Sequence, residues 1–150
     1  EKEVATALSR MSKIGRRFLM EPMIDDAIAE VIVGVKRDPV LGLALVIGAG
    51  GLLTNLLEDS VSVLLPVSRA DLVRDVKPLK IMRVIEGYRG GRKGDAEALV
   101  SAILAIAAFA NDNADQLLEL DVNPILVRPE GFGVVAVDAF ISEKTKEHSS

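Results

Sequence analysis

The sequence has no cysteine and no tryptophan, and its 150 residues include one histidine, one tyrosine and four phenylalanines. The absence of cysteine excludes disulfide frameworks, thiolate zinc sites and cysteine nucleophiles, and it fits a reducing compartment, so we expect a cytoplasmic protein. The single histidine, His148, lies in a polar tail near the C-terminus. Histidine dyads therefore cannot form inside the domain, and any chemistry must use carboxylates, amides, lysine, arginine or backbone groups.

Basic residues are too few to favour nucleic acid or anionic lipid as a partner. The 22 acidic and 18 basic side chains give a formal net charge of -4, which has the wrong sign for either surface. The uncharged run at 40–57 reaches the length of a minimal membrane span, but four glycines interrupt it and no basic cluster flanks it. We expect one globular domain with no membrane span.

Hydrophobic periodicity predicts an α+β fold with a mostly antiparallel sheet and packed helices. Valines 31, 33 and 35 share one face of a strand. Ser68 and Asp95 are typical helix N-caps. The expected elements are a leading helix over 2–13, strands over 17–23, 29–38 and 43–48, extended segments up to 66, helices that begin near Ser68, after Pro78 and after Asp95, and a hairpin over 116–141.

The chain is expected to divide into three parts. Residues 1–16 form a leading helix and linker, residues 17–141 form the domain, and residues 142–150 form a polar tail that we expect to be disordered. No internal repeat is visible.

Alternating polar residues in the hairpin indicate a metal site. Glu119, Asp121 and Asn123 occupy every second position, with Leu118, Leu120 and Val122 between them, so a strand would place the polar three on one face. If the hairpin closes around Glu130 and Gly131, paired residue numbers sum to 261 and Asn123 falls opposite Asp138. Oxygen ligands at that separation suit Mg²⁺. The alternative is that these side chains form the solvent face of an edge hairpin.

Two further segments are candidates for binding phosphate. Gly48, Gly50 and Gly51 follow a strand, where their backbone N–H groups could face a phosphate, although a plain tight turn explains them equally well. The glycine-rich loop at 86–94 carries Arg89 and Arg92, whose planar guanidinium groups could clamp a phosphate. A solvated basic loop is the alternative there.

These segments, in this order, resemble the C-terminal part of the ATP-grasp domain of NDP-forming acyl-CoA synthetases, which are related to the succinyl-CoA synthetase β subunit. The most specific match is ELDVNP, whose Asn is followed fifteen residues later by the Asp of VDA. The matching segments are EVIVGVKRDPVLG at 30–42, GAGGLLTNLLED at 48–59, IEGYRGGRKGD at 85–95, ELDVNPILV at 119–127 and AVDAFI at 136–141.

The resemblance implies a ligand set and partners. The family's matching Asn and Asp coordinate Mg²⁺ on the nucleotide phosphates, which implies that Asn123 and Asp138 bind Mg²⁺ with ATP or ADP, and that Asp121 is an outer ligand or orients the other two. The implied partners are the nucleotide and the remaining domains or subunits of a synthetase, which bind CoA and carry a phosphorylatable histidine. A second copy of this chain, in a homo-oligomer, is a further partner that the sequence allows. We expect no ligase activity from this chain alone.

Three departures from the family pattern leave a second function open. The family usually has Phe-Gly-Pro where this chain has Leu41-Gly42-Leu43, a Glu in place of Asn55, and an Arg in place of Phe140. Each change removes a ring or a charge near the expected site. A degenerate, non-catalytic regulatory or interaction module is therefore the alternative to a synthetase domain. A purely structural α+β domain is the third possibility.

Overall fold

The computed structural model describes residues 2–51 and 59–144. Its first half contains helix α1 (Lys2–Met11) and strands β1 (Ala29–Asp38), β2 (Gly42–Ala49) and β3 (Ser60–Leu64). Three helices follow, namely α2 (Arg69–Val76), α3 (Lys80–Ile85) and, after a 3₁₀ turn at Tyr88–Gly90, α4 (Ala96–Asp112). Strands β4 (Leu117–Val127), β5 (Val134–Ala136) and β6 (Ala139–Glu143) complete the described chain.

Within residues 2–51 and 59–144, the strands form one six-stranded sheet. Its order is β3-β2-β1-β4-β5, and β6 also pairs with β4. Every pairing between these strands is antiparallel. The predicted α+β class with a mostly antiparallel sheet is confirmed.

One face of the sheet packs against helices. Val31, Val33 and Val35 are at most 1% exposed, and they belong to the same buried cluster as Leu99 and Ile103 of α4. Each such side chain stabilises the fold by roughly 1.5–3 kcal/mol relative to an exposed position. The other face of β1 carries Glu30, Ile32, Gly34 and Lys36, all half-buried or exposed.

Both predicted helix caps are present. Ser68 Oγ accepts a hydrogen bond from the Asp71 N–H at 3.1 Å at the start of α2, and Asp95 Oδ1 accepts one from the Ala98 N–H at 3.0 Å at the start of α4. These side chains satisfy backbone donors that have no partner within the helix.

The strand predicted over 17–23 is wrong. This stretch has no regular secondary structure, and Leu19, Met20 and Met23 are 82%, 75% and 88% exposed. An alternating pattern forms a strand only where another strand offers backbone partners, and no strand of the sheet pairs with this stretch.

The ends of the described chain also differ from expectation. Helix α1 ends at Met11 and has no buried residue. Strand β6 extends to Glu143, two residues into the segment expected as a tail. The rest of that tail beyond Lys144 lies outside the described residues. Within residues 2–51 and 59–144, no helix has both the length and the apolarity needed to cross a membrane.

Candidate metal and phosphate site

Strand β4 presents its polar residues on the face opposite the core. Leu120 and Val122 are buried, Glu119 and Asp121 are half-buried, and Asn123 is exposed. Leu118 interrupts the alternation of burial along the strand, because it is 39% exposed and Leu117 is fully buried. The β4–β6 register shifts between Leu117 and Glu119, and an irregularity of this kind changes which residue faces the core.

The hairpin register is the predicted one, and it places Asn123 opposite Asp138. The Asn123 N–H donates to the Asp138 carbonyl oxygen at 3.1 Å, and the Val137 N–H donates to the Pro124 oxygen at 3.0 Å. Asp138 Oδ1 accepts from the N–H of Ala139 at 2.8 Å. The pairs Ile125↔Ala136, Leu126↔Val135, Val127↔Val134 and Asp121↔Phe140 all follow the same register.

A β-bulge lies at Asn123. In the β1–β4 pairing, Val31 faces Ile125 but Val33 faces Val122, so Asn123 and Pro124 together lie opposite Ile32. Such a bulge re-aims side chains. The bulge was not predicted from the sequence, although a proline inside a strand is a recognised signal for one.

Strand β1 leaves space beside Asp121 and places a positive charge beside Glu119. A Cβ at Gly34 would lie 3.6 Å from Asp121 Oδ1. Lys36 Nζ lies 3.7 Å from Glu119 Oε1 in an exposed ion pair. No described lysine or arginine pairs with Asp121 or Asp138.

The chemistry of the donor atoms fits Mg²⁺. The Asn123 amide and the two aspartate carboxylates are hard oxygen donors, and Mg²⁺ typically takes one or two carboxylates from protein and completes its octahedron with water and phosphate. Among the described residues, no three His, Cys, Asp or Glu side chains form a ready-made metal cluster. These few protein oxygens would leave the remaining positions around the ion to water and phosphate oxygens.

The glycine turn after β2 directs two of its donors into the protein. The Ala49 N–H donates to the Asp59 oxygen at 3.1 Å, and the Gly50 N–H donates to the Glu30 oxygen at 2.8 Å. The Glu30 carboxylate also lies so close to Gly51 that a Cβ there would overlap it. A phosphate approaching Gly51 would meet this negative charge. Phosphate binding by Gly48, Gly50 and Gly51 remains a prediction, and Asn55 lies outside the described residues.

The two arginines of the basic loop differ in their surroundings: Arg89 forms no ion pair with a described carboxylate, whereas Arg92 acts electrostatically on Asp26 and helps to lower its pKa. The Arg89 guanidinium lies 5.2 Å from the centre of the Tyr88 ring, and its backbone is left-handed with φ of 53°. Arg92 lines a cleft of about 400 Å³ together with Tyr88 and Ile28. The structure joins this loop to the hairpin turn through the Gly94–Pro129 bridge, six residues along the chain from Asn123. Among the described residues, no ion pair joins Arg89 to Asp121 or Asp138.

The contacts that hold this end of the sheet were not predicted from the sequence. Arg128 Nε and Nη2 each donate to the Asp26 carboxylate at 2.9 Å, and this lowers the pKa of Asp26. Asp95 accepts hydrogen bonds from Ala98, Gly133 and Gly131, and these lower the pKa of its carboxyl group. The capping role of Asp95 was visible in the sequence, but its contacts with a distant turn had no local signal.

Comparison with known proteins agrees with this architecture. Residues 3–142 match the ATP-grasp domain family, and the chain belongs to that family. The resemblance seen in the sequence is confirmed.

Its relatives include subunits of ADP-forming acetate–CoA ligases. The chain is 34% identical to the β subunit of the Pyrococcus furiosus acetate–CoA ligase (ADP-forming) II, over 82% of this chain and 52% of that subunit. It is 32% identical to the ADP-forming acetate–CoA ligase of Methanocaldococcus jannaschii, over 93% of this chain and 20% of that protein. The chain thus spans about half of the first relative and a fifth of the second.

A solved relative has the same fold. The dinucleotide-forming acetyl-coenzyme A synthetase 1 of Ca. Korarchaeum cryptofilum superposes with a TM-score of 0.77 and 27% identity, over 95% of this chain and 64% of that one. That protein was solved in complex with coenzyme A and Mg-AMPPCP, with its phosphohistidine segment pointing towards the nucleotide-binding site.

Proposed function

We propose that this domain binds Mg-ATP or Mg-ADP and supplies the nucleotide end of an NDP-forming acyl-CoA synthetase, an acid–thiol ligase. The observation that carries the proposal is the position of Asn123 opposite Asp138, joined by the 3.1 Å backbone hydrogen bond, in a chain of the ATP-grasp family. The Mg-AMPPCP complex of the Ca. Korarchaeum relative supports the choice of ligand.

Each residue has a positioning or neutralising task. Asn123 and Asp138 would hold Mg²⁺, and the half-buried Asp121 would bind an outer water or orient the other two side chains. Arg89 would bind a phosphate, because its guanidinium has no carboxylate partner in the described chain. When bound, the metal would neutralise phosphate charge, and phosphoryl transfer relies mainly on positioning and electrostatics.

The proposed partners are the remaining parts of the synthetase. The chain spans only part of its relatives, so the domains that bind CoA and carry the phosphohistidine would come from elsewhere in the chain or from another subunit. On its own, the chain would bind nucleotide without ligating an acyl group to CoA.

A thermal shift with Mg-ADP tests the metal assignment. A ligand that binds only the folded state stabilises it by about 2.7 kcal/mol at a hundred times its Kd. The melting temperature of the wild type should rise with Mg-ADP, and Asp138→Ala should abolish the rise. Asp115→Ala is the matched control, because Asp115 is exposed and the described chain shows no hydrogen bond or ion pair for it. An equal rise in wild type and Asp138→Ala would contradict the assignment.

One observation favours the degenerate module as a second candidate. Phe140 on β6 is the register partner of Asp121 and is 58% exposed, so an apolar side chain occupies the position where the family usually has an arginine. A module that has lost nucleotide binding would show no shift with Mg-ADP in any of these variants.

A further inference from the structure

The Asp95 carboxylate joins two distant parts of the chain. Its Oδ1 accepts a hydrogen bond from the Ala98 N–H at 3.0 Å, which caps α4. Its Oδ2 accepts from the N–H groups of Gly131 and Gly133, both at 3.0 Å. Those glycines lie in the turn of the β4–β5 hairpin, 36 and 38 residues further along.

Backbone contacts hold the same turn beside the loop that precedes α4. The Asp95 N–H donates to the Arg128 oxygen at 2.9 Å, and the Glu130 N–H donates to the Lys93 oxygen at 3.0 Å. Gly94 also forms a β-bridge with Pro129. The side chain of Asp95 thus completes an attachment that the backbone begins.

The conformation of this turn decides where Asp138 lies. Gly131 and Gly133 have φ of +84° and +77°, a region that glycine adopts readily and other residues rarely do. Turn geometry and loop length fix hairpin register, and a slip of one residue moves every side chain to the other face. The register set here is the one that places Asp138 opposite Asn123.

We propose that Asp95 is a positioning residue for the Asn123–Asp138 pair, because its second carboxylate oxygen fixes the hairpin turn and thereby the register of the two strands. This inference rests on the proposed function for the metal role of the pair. Asp95 itself does not touch the metal or the nucleotide. The hydrogen bonds that lower its pKa keep the carboxyl group ionised at neutral pH, so both of its oxygens can accept.

Asp95→Asn separates this role from helix capping. Asparagine is as good an N-cap as aspartate, but its NH₂ group cannot accept hydrogen bonds from Gly131 and Gly133. Glu97→Gln is the matched control. It removes one negative charge from the same helical turn, and the side chain of Glu97 is 82% exposed and forms its one described ion pair with Arg69.

Amide hydrogen exchange in the 150-residue chain reads the register directly. In Asp95→Asn, protection at the Asn123 and Val137 N–H groups should fall by about tenfold, the equivalent of one hydrogen bond. Protection at Ala98 and at β1 residues such as Val35 should stay unchanged. Unchanged protection at Asn123 and Val137 would overturn the proposal. If Asp95→Asn does not fold, Asp95→Ser gives the same test, because serine caps a helix but lacks the second oxygen.

A second measurement links register to metal. Mn²⁺ with ADP should broaden the side-chain amide signals of Asn123 in the wild type, and about tenfold more Mn²⁺ should be needed in Asp95→Asn, matching the lost hydrogen bonding. Equal Mn²⁺ requirements in both proteins would overturn the positioning role. No broadening in the wild type would instead contradict the proposed function, and the exchange data would still report whether Asp95 sets the register.

Discussion

The backbone N–H of Asn123 donates to the carbonyl oxygen of Asp138 at 3.1 Å. The amide side chain and the carboxylate side chain are therefore attached to backbone positions that lie opposite each other on neighbouring segments. Both side chains are exposed, and neither forms an ion pair with a described residue. The pair is therefore accessible to a ligand that brings its own positive charge. A β-bulge in β4 at Asn123 and the glycine at position 34 shape the surface around it.

Substitutions at Gly34 should separate fold stability from metal binding. A Cβ there meets Asp121 Oδ1 at 3.6 Å and the Leu120 oxygen at 3.7 Å, which are ordinary contacts. Gly34→Ala should therefore leave the unfolding free energy unchanged or raise it by about 0.4–1 kcal/mol. Gly34→Val should displace the Asp121 carboxylate and weaken Mg-ADP binding. Denaturant titration and calorimetry would measure the two effects, and stronger Mg-ADP binding by Gly34→Val would contradict the role of Asp121.

Removing the charge of Arg89 should weaken nucleotide binding without unfolding the protein. Charge-assisted hydrogen bonds to phosphate are worth about 1.5–3 kcal/mol, so Arg89→Gln should weaken Mg-ADP binding by about tenfold or more. Arg83→Gln is the control, since Arg83 is exposed on α3 and has no described partner. Equal Mg-ADP affinities in calorimetry for Arg89→Gln and Arg83→Gln would contradict phosphate binding by Arg89 and would indicate that the loop is only a solvated surface.

The stability of the fold should fall in acid. The Arg128 guanidinium lowers the pKa of Asp26 below 3.8, and backbone donors lower the pKa of Asp95 in the same direction. A carboxyl group whose folded pKa is depressed stabilises the fold fully above its unfolded pKa, and this contribution is lost as pH falls through the folded pKa. Urea titrations from pH 6 down to pH 2 should show the loss. A smaller loss is expected for Asp26→Asn, and an identical pH profile for that variant would contradict this account.

Truncation of Ile103 should lower the unfolding free energy much more than truncation of Phe109. Ile103 is fully buried on α4, whereas Phe109 on the same helix is 40% exposed. Ile103→Ala should lower the unfolding free energy by about 2–5 kcal/mol. Phe109→Ala should cost clearly less, and chemical denaturation would measure both. A larger cost at Phe109 would mean that its ring is covered in solution.

The chain alone should acquire no phosphohistidine. Its one histidine, His148, lies outside the described residues in a polar segment of the sequence. Transfer requires the nucleophile in line and about 3–3.5 Å from phosphorus. Incubation with γ-labelled ATP and Mg²⁺ should leave the protein unlabelled at neutral and alkaline pH. Stoichiometric label that disappears in His148→Ala would contradict this expectation.

Much of the site could be predicted because its geometry depends on patterns among residues that are close in sequence. Alternation placed Glu119, Asp121 and Asn123 on one face, and the turn around Glu130 and Gly131 defined the register. Both depend only on residues close in sequence, as do the caps at Ser68 and Asp95.

The rest depends on contacts between distant residues. Leu118 is exposed next to a register irregularity between β4 and β6. The glycine turn lies beside Glu30 through β1–β2 pairing, and the hairpin contacts of Asp95 cross 36 residues. The stretch 17–23 alternates but finds no described partner strand. No local pattern encodes these pairings, so sequence periodicity could not reveal them.

Calorimetric titration with ADP, in the presence and absence of Mg²⁺, measures whether nucleotide binding depends on a metal at Asn123 and Asp138. We expect a saturable, Mg²⁺-dependent heat for the wild type and for Asp115→Ala, and its loss in both Asn123→Ala and Asp138→Ala. Saturable heat that persists without Mg²⁺ or in both site variants, or no heat from the wild type, would contradict the assignment of Asn123 and Asp138 as the metal-binding pair.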